Sequence, residues 1–275
     1  MLDNIYLFID GGYLQAVYRD LFNPIFGATY LVDYKCVMET FGARRVFLYD
    51  CLDDLRRTGE SDADFQARVQ QQQDVFDAID KVEGVHVRYG FLSPGRKRQQ
   101  KEVDVLLAVD MLTHSFYKNM GEAVLLSGDR DFKPVVESIV RLGTLVKVAY
   151  DPRAGSRDLA RAADYEMEID ITALCRWIKL DKYEDRSQHF PAASLYHNCN
   201  EDPLKVMTPA PTAMRNGVIG ESKQALSLAE INNLWHATVQ INQRDYSLYC
   251  FHDNVKLLAY LRAQCGEIVW SVAGI

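Results

Sequence analysis

The chain has 275 residues, of which 48% are hydrophobic and 25% are charged. This is the composition of an ordinary globular protein, long enough for one domain and a smaller second one. The formal net charge of −7 argues against a surface that attracts nucleic acid everywhere, although it leaves room for a local basic track.

The sequence offers no membrane segment and no disulfide framework. No apolar run approaches the roughly 18 residues of a membrane span, and the first residues lack the basic start of a signal peptide. The six cysteines contain no C-x-x-C pair, which favours reduced thiols. His189, His197 and Cys199 are close in sequence but lack a second ligand pair, so a metal site there is disfavoured. We expect a cytoplasmic protein without a membrane partner.

Apolar strands that end in a carboxylate recur along the chain. Ile5–Asp10 is followed by Gly11-Gly12-Tyr13 and an amphipathic segment, and Arg45–Asp50 ends in the same way. The segment from Ser61 to about Val82 has the apolar spacing of a long helix. Gly84–Leu92 alternates with period two, which predicts a strand with one wetter face.

The most basic stretch precedes a helix that begins near Asp104 and runs to about Tyr117. It contains Arg96, Lys97, Arg98 and Lys101. Such a run is usually a solvated loop, but here it leads directly to an acidic side chain in the first turn of a helix. It is therefore also a candidate track for a polyanion.

The chain is organised around the stretch that runs from Ala123 to Pro134. An apolar run of strand length ends in Ser127-Gly128, and Asp129 and Asp131 follow where a helical pattern begins. One interpretation is N-capping, in which an Asp accepts backbone N–H bonds. The other is chemistry, because ligands of open α/β sheets bind at the carboxyl ends of the strands.

Strand and helix continue to alternate up to about Ile178, which predicts an α/β domain with a mostly parallel sheet over residues 1–180. Four prolines and no sustained period predict an extended linker over residues 181–222. Periodicity returns afterwards, and residues 223–275 are expected to form a small α-rich module.

Three positions at the end of a predicted strand or the start of a predicted helix carry acids. They are Asp10, Asp104, and the pair Asp129 and Asp131. Since the carboxyl ends of parallel strands share one edge, we expect the four carboxylates to converge. Like charges so close repel one another unless they are protonated or bridged by cations. Mg²⁺ or Mn²⁺ is the natural counter-ion, and carboxylates around such ions are one way in which phosphodiesters are hydrolysed.

The motifs resemble those of the NYN-domain (LabA-like) proteins of the PIN-like nuclease superfamily. The similar segments are Ile9–Leu14, Lys101–Met111, Leu126–Phe132 and Ser156–Asp164. The resemblance implies a PIN-like, Rossmann-like fold. It also implies a divalent-metal-dependent endoribonuclease in which Asp10, Asp104, Asp129 and Asp131 bind the metal and act in catalysis.

The same resemblance bears on the neighbouring residues and on the C-terminal module. Tyr13 stands where the family usually has Asn, and we take Tyr13, Ser127 and Arg130 as candidate substrate-side residues. The module faintly resembles a LOTUS winged-helix module that binds RNA. A dimerisation or packing module is an equal alternative, and in the dimerisation case the protein would be a homodimer.

Other functions are less well supported. A haloacid-dehalogenase-type phosphatase needs a second Asp two residues after the first, and that position is Gly12. Neither G-x-G-x-x-G nor a P-loop motif occurs, and there is no G-x-S-x-G elbow. The main alternative is a non-catalytic RNA-binding or regulatory scaffold with a PIN-like fold.

Overall fold

The computed structural model describes residues 4–91, 101–211 and 213–271, which form two compact units. The first unit contains the described residues up to Asp20 together with Leu31–Ile169. The second contains Leu21–Tyr30 and the described residues from Asp170 onward. None of the described helices has both the length and the apolar character that crossing a membrane requires.

Strands and helices alternate through the first part of the chain. The elements up to Glu168 are β1 (Ile5–Asp10), α1 (Gly11–Val17), α2 (Asn23–Phe26), β2 (Leu31–Val32), α3 (Tyr34–Phe41), β3 (Arg45–Leu52), α4 (Asp62–Asp80), β4 (Val85–Phe91), α5 (Lys101–Phe116), β5 (Glu122–Leu126), α6 (Lys133–Arg141), β6 (Leu145–Tyr150), α7 (Arg157–Ala160) and β7 (Tyr165–Glu168). A π-helical turn at Tyr18–Phe22 follows α1, and a 3₁₀ turn at Arg130–Phe132 precedes α6.

Strands dominate the rest of the chain. The elements are α8 (Ile171–Arg176), β8 (Ile178–Lys179), α9 (Arg186–His189), β9 (Ala192–Tyr196), β10 (Met214–Ile219), β11 (Ala225–Ile231), β12 (Leu234–Gln240), β13 (Tyr246–Phe251), α10 (Asn254–Cys265) and β14 (Ile268–Trp270). A 3₁₀ turn at Pro203–Val206 lies between β9 and β10.

The first unit is built on a parallel sheet with the strand order β4-β3-β1-β5-β6-β7. Its central strands are apolar on both faces. Leu7, Phe8 and Ile9 of β1 are fully buried, as is the whole of Val124–Leu126 in β5. Such continuous apolar runs are typical of parallel strands that helices cover on both sides. The predicted α/β fold with a mostly parallel sheet is therefore confirmed.

The strand order also fixes where a ligand site is expected. From β1 the chain moves outward to β3 and β4, and it then returns to the other side of β1 to form β5, β6 and β7. Strands β1 and β5 are neighbours, with Ile9 paired with Leu126. The strand order therefore switches sides between β1 and β5, which is a topological switch point. At such a point a crevice opens at the carboxyl ends of the strands.

The second unit contains an antiparallel sheet with the strand order β14-β10-β11-β12-β13-β9. Helix α10 buries Leu257, Tyr260 and Leu261, and the Tyr260 ring lies 5.9 Å from the ring of Tyr249 in β13. A smaller apolar cluster forms around Leu204, Ala229, Ile231 and Leu248.

This sheet differs from the expectation of an α-rich C-terminal module. The described part of residues 223–275 contains four strands and one helix, which is not the helix content of a winged-helix module. The missed signal is the pair Asn232-Asn233 between β11 and β12, with φ of 53° and 62°. Two left-handed residues form the tight turn of a β-hairpin, and Asn is among the residues that tolerate this conformation.

The linker prediction for residues 181–222 differs from the structure as well. This segment supplies β9 and β10 to the antiparallel sheet. Strand β9 is exposed along its whole length, so it has no apolar alternation that a sequence pattern could reveal. The unit also incorporates residues from far upstream, because Phe190 packs against Phe22, Phe26 and Tyr30 with ring centroids 5.2–5.8 Å apart.

Candidate active site

Two of the predicted acids lie at the topological switch point between the parallel strands β1 and β5. Asp10 is the last residue of β1, and Asp129 follows β5 after Ser127-Gly128. The start of α1 approaches β3 so closely that a Cβ on Gly11 would lie 2.6 Å from the Tyr49 carbonyl oxygen. Only a glycine fits there, which explains why a Gly follows the strand-end Asp.

Asp10 is held by contacts to both of its carboxylate oxygens. Its Oδ1 accepts the backbone N–H of Tyr13 at 3.0 Å, so it caps the N-terminus of α1. Its Oδ2 accepts the hydroxyl of Ser127 at 2.9 Å. The capping role and a functional role are thus compatible, because each oxygen keeps a second lone pair.

Asp129 and Asp131 are both exposed and are joined by one hydrogen bond. The Asp131 N–H donates to Asp129 Oδ1 at 2.9 Å, which caps the 3₁₀ turn before α6. The backbone N–H of Asp129 donates to Ser127 Oγ at 3.1 Å. Ser127 therefore connects the end of β1 to the turn after β5.

Asp104 completes the group from the first turn of α5. Together with Asp10 and Asp129 it lines a cleft of 260 Å³, whose other walls are Tyr13, Gly128 and Ala154. Asp131 lies beside this cleft and adds its charge to the surroundings of Asp104. The structure therefore brings the four predicted acids to one place.

Burial and mutual repulsion raise the pKa values of the enclosed acids. The pKa of Asp104 rises to about 6 because of desolvation and the charges of Asp10, Asp129 and Asp131. The pKa of Asp10 is raised mainly by burial, against the opposing hydrogen bonds from Tyr13 and Ser127, and further by Asp129. None of the four acids forms an ion pair with a described residue, so the cleft carries uncompensated negative charge.

A fifth carboxylate, Asp50, lies behind this group. Only 5% of Asp50 is exposed, and burial together with the charge of Asp10 raises its pKa to about 6. Its oxygens accept the Gln15 side-chain amide at 2.6 Å and the Cys51 N–H at 2.7 Å. The sequence does place an Asp at the end of β3, but its burial and its closeness to Asp10 depend on the neighbouring strands.

The loop after β6 forms the far wall of the cleft. Asp151 is buried there, but unlike the cleft acids it is neutralised by Arg153, whose Nε and terminal nitrogen donate to its two oxygens at 2.9 and 3.0 Å. Gly128 packs tightly against this loop, since a Cβ there would lie 2.8 Å from the Cα of Gly155 and 2.6 Å from the Tyr13 ring.

The three residues predicted on the substrate side occupy different positions. The Tyr13 ring lines the cleft and its hydroxyl accepts the Asp151 N–H at 2.8 Å, and burial raises its pKa to about 12. Ser127 is fully buried and donates its hydroxyl to Asp10 Oδ2, so it lies behind the cleft surface and helps to position Asp10. Arg130 is exposed and pairs with Asp158 at 3.2 Å.

The predicted basic track cannot be placed in the same way. Arg96, Lys97 and Arg98 lie outside the described residues, and of Lys101 the structure describes only its backbone at the start of α5. Their role as a nucleic-acid track stays a prediction.

The cleft offers the hard oxygen ligands that Mg²⁺ and Mn²⁺ prefer. Within residues 4–91, 101–211 and 213–271, no three His, Cys, Asp or Glu side chains are gathered closely enough to form a metal site from protein ligands alone. Mg²⁺ usually keeps several waters and binds through one or two carboxylates, which does not require such a cage. Asp10, Asp104 and Asp129 therefore fit a hydrated divalent cation by their chemistry and their shared charge.

Comparison with known proteins identifies the first unit. The NYN domain family model matches residues 4–170, which contain all four acids. The uncharacterized protein y4oD of Sinorhizobium fredii is 30% identical over 136 residues, which are 48% of this chain and 59% of that protein. A crystal structure of a protein of unknown function from Vibrio parahaemolyticus aligns with 64% of this chain and 96% of its own, at 17% identity and a TM-score of 0.46. The chain belongs to the NYN domain family, within the PIN-like nuclease superfamily.

Proposed function

We propose that this protein is a divalent-metal-dependent endoribonuclease whose active site is the acidic cleft. The observation that carries the proposal is the set of carboxylates from three separate elements that meet without a compensating cation. Such an arrangement costs stability, because each charge raises the free energy of ionising the others. A bound divalent cation would offset this repulsion.

The protein groups have distinct tasks in this proposal. One or two of Asp10, Asp104 and Asp129 would hold the hydrated cation, and the remaining carboxylates, including Asp131, would add negative charge around it. Ser127 fixes the orientation of Asp10, as hydrogen-bonded neighbours of metal-binding carboxylates commonly do. Bound there, Mg²⁺ or Mn²⁺ would lower the pKa of the attacking water and stabilise charge on the leaving oxygen.

The Tyr13 ring and the backbone of Gly128 and Ala154 shape the rest of the cleft. They present no cation, so the substrate phosphate would be attracted chiefly by the bound metal and by basic groups outside the cleft. The basic stretch that contains Arg96, Lys97 and Arg98 leads directly into the helix of Asp104 and suits that role. Such backbone contacts are independent of base sequence.

Chelation tests the metal requirement. Purified protein should cut a labelled single-stranded RNA in Mg²⁺ or Mn²⁺, stop in excess EDTA, and recover when the cation is restored in excess of the chelator. Undiminished cleavage in EDTA would contradict the proposal. Binding of RNA without cleavage under every metal condition would instead support the scaffold alternative.

A further inference from the structure

A second pocket of the first unit lies at the opposite edge of the parallel sheet. We call it the basic pocket. It has a volume of 810 Å³, and its polar and charged lining comes from Lys35, Arg44, Arg45, Glu83 and His86. Strand β3 begins at this pocket with Arg45, and its other end carries Asp50, which lies beside Asp10 of the acidic cleft. The basic pocket and the acidic cleft are therefore separated by about 16 Å along the strand.

The basic pocket carries positive charge in an otherwise acidic chain. Lys35, Arg44 and Arg45 are exposed, and none of them forms an ion pair with another residue of the described chain. Glu83 is the single acid among the lining residues. Three cations and one carboxylate leave a local excess of positive charge, which attracts anions.

Neighbouring contacts hold the pocket in shape. The Arg44 N–H donates to the Ile5 carbonyl at 2.9 Å, and the guanidinium of Arg45 lies over the Tyr6 ring at 5.5 Å. The His86 ring stacks on Phe47 with centroids 5.2 Å apart. Gly84 has a φ of 81°, which a residue with a side chain would adopt only with strain. The backbone positions from which the cationic side chains extend are therefore fixed by these contacts.

The lining combines two kinds of surface. Met38, Ala43 and Val82 supply apolar contacts, whereas the Lys and Arg side chains supply donors for phosphate oxygens. Arg in particular can bind phosphate through two parallel hydrogen bonds. An apolar surface next to phosphate donors matches a nucleotide, which has a flat base and an anionic phosphate. The volume also lies within the range of small-molecule sites.

We propose that the basic pocket binds a nucleotide of an RNA strand, remote from the acidic cleft. The choice of RNA over other polyanions rests on the proposed function. The strand would be anchored by base and phosphate contacts in the pocket while another part of it reaches the cleft. This arrangement would let a protein with a net charge of −7 hold a polyanion.

Binding measured without cleavage tests this proposal. Fluorescence anisotropy of a short labelled single-stranded RNA is recorded against salt in EDTA, for wild type and for the double variant Lys35→Gln/Arg44→Gln. Each phosphate contact on single strands contributes about 0.7 to the slope of log affinity against log salt. We expect the variant slope to flatten by about 1.4 and the affinity to fall about 25-fold at a salt concentration of about 0.1 M.

Lys118→Gln/Arg141→Gln is the matched control, because it removes the same charge from two exposed positions of the first unit. An equal change in this control, or an unchanged slope in the pocket variant, would overturn the proposal. Competition with uridine monophosphate separates the occupants. If the monophosphate and the RNA bind with equal affinity, and the pocket substitutions weaken both, the occupant of the pocket is a free nucleotide. That result would overturn the assignment of the pocket to RNA.

The outcome is independent of catalysis. If the pocket substitutions change the salt dependence of RNA affinity but the protein never cuts RNA, the proposed RNA-binding pocket is supported and the proposed nuclease activity is contradicted. Metal-dependent cleavage by a protein whose RNA affinity ignores the pocket substitutions would do the reverse.

Discussion

Replacement of Asp50 by Asn should stabilise the metal-free protein at neutral pH. Asp50 is almost fully buried beside Asp10, and its pKa is raised from 3.8 to about 6. A raised pKa means that the folded state binds the proton more tightly than the unfolded state does. The contribution of Asp50 to stability is therefore greatest below pH 4 and is lost as the pH rises towards 6.

The magnitude follows from the same shift. A change from 3.8 to about 6 corresponds to a penalty of about 3 kcal/mol at neutral pH. Asn removes the charge but offers one oxygen acceptor instead of two. The Cys51 N–H can keep that oxygen, and Gln15 can turn its amide so that its own oxygen accepts from Asn. Allowing for imperfect replacement of these bonds, we expect a net gain of about 1–2 kcal/mol.

Urea unfolding in EDTA between pH 4 and pH 7 measures this effect. All three tryptophans, Trp177, Trp235 and Trp270, belong to the second unit, so far-UV circular dichroism should carry the change while tryptophan fluorescence should not. Asp77→Asn, an exposed change on α4, is the control for net charge. Identical pH dependence in wild type and Asp50→Asn, or a less stable variant at pH 7, would refute the reasoning.

Three further predictions concern the basic stretch, the cleft wall and the second unit. Changing Arg96, Lys97 and Arg98 together to Ala should flatten the salt dependence of RNA affinity by about 2 log units per log unit of salt, and an unchanged slope would remove this stretch as a track. Gly128→Ala should lower the free energy of unfolding of the first unit by about 1–3 kcal/mol, because its Cβ would overlap Tyr13; wild-type stability in urea would contradict the observed packing. Phe190→Ala should cost the second unit about 3–5 kcal/mol, read by tryptophan fluorescence, and a loss below about 1 kcal/mol would argue against its aromatic cluster.

The parallel sheet and its acidic edge could be predicted because they depend on local signals. Asp10 and Asp129 each follow an apolar run of strand length, and such runs end at one edge of a parallel sheet. Asp104 is predictable from its place in the first turn of a helix. The roles of Ser127 and Asp50 could not be predicted in this way, since they arise from contacts across 117 and 35 residues of sequence.

The fold of the second unit is not predictable from the sequence, for a related reason. Strand β11 is buried on both faces over Leu226–Ala229, and its apolar-polar alternation is interrupted at Ala229, so the short pattern does not distinguish a strand from a helix. Strand β9 has the opposite problem, because it is exposed throughout and depends on its pairing with β13. Long-range pairing thus decided the structure where the local pattern carried little information.

The rate of RNA cleavage by Asp129→Asn in Mn²⁺ tests the proposed active site most directly. Asn can still accept the Asp131 N–H, so the cap of the 3₁₀ turn is preserved while the negative charge is lost. We predict a rate at least about 100-fold below wild type, with Asp77→Asn unaffected and both variants folded by circular dichroism. Wild-type cleavage by Asp129→Asn would contradict a catalytic role for the acidic cleft.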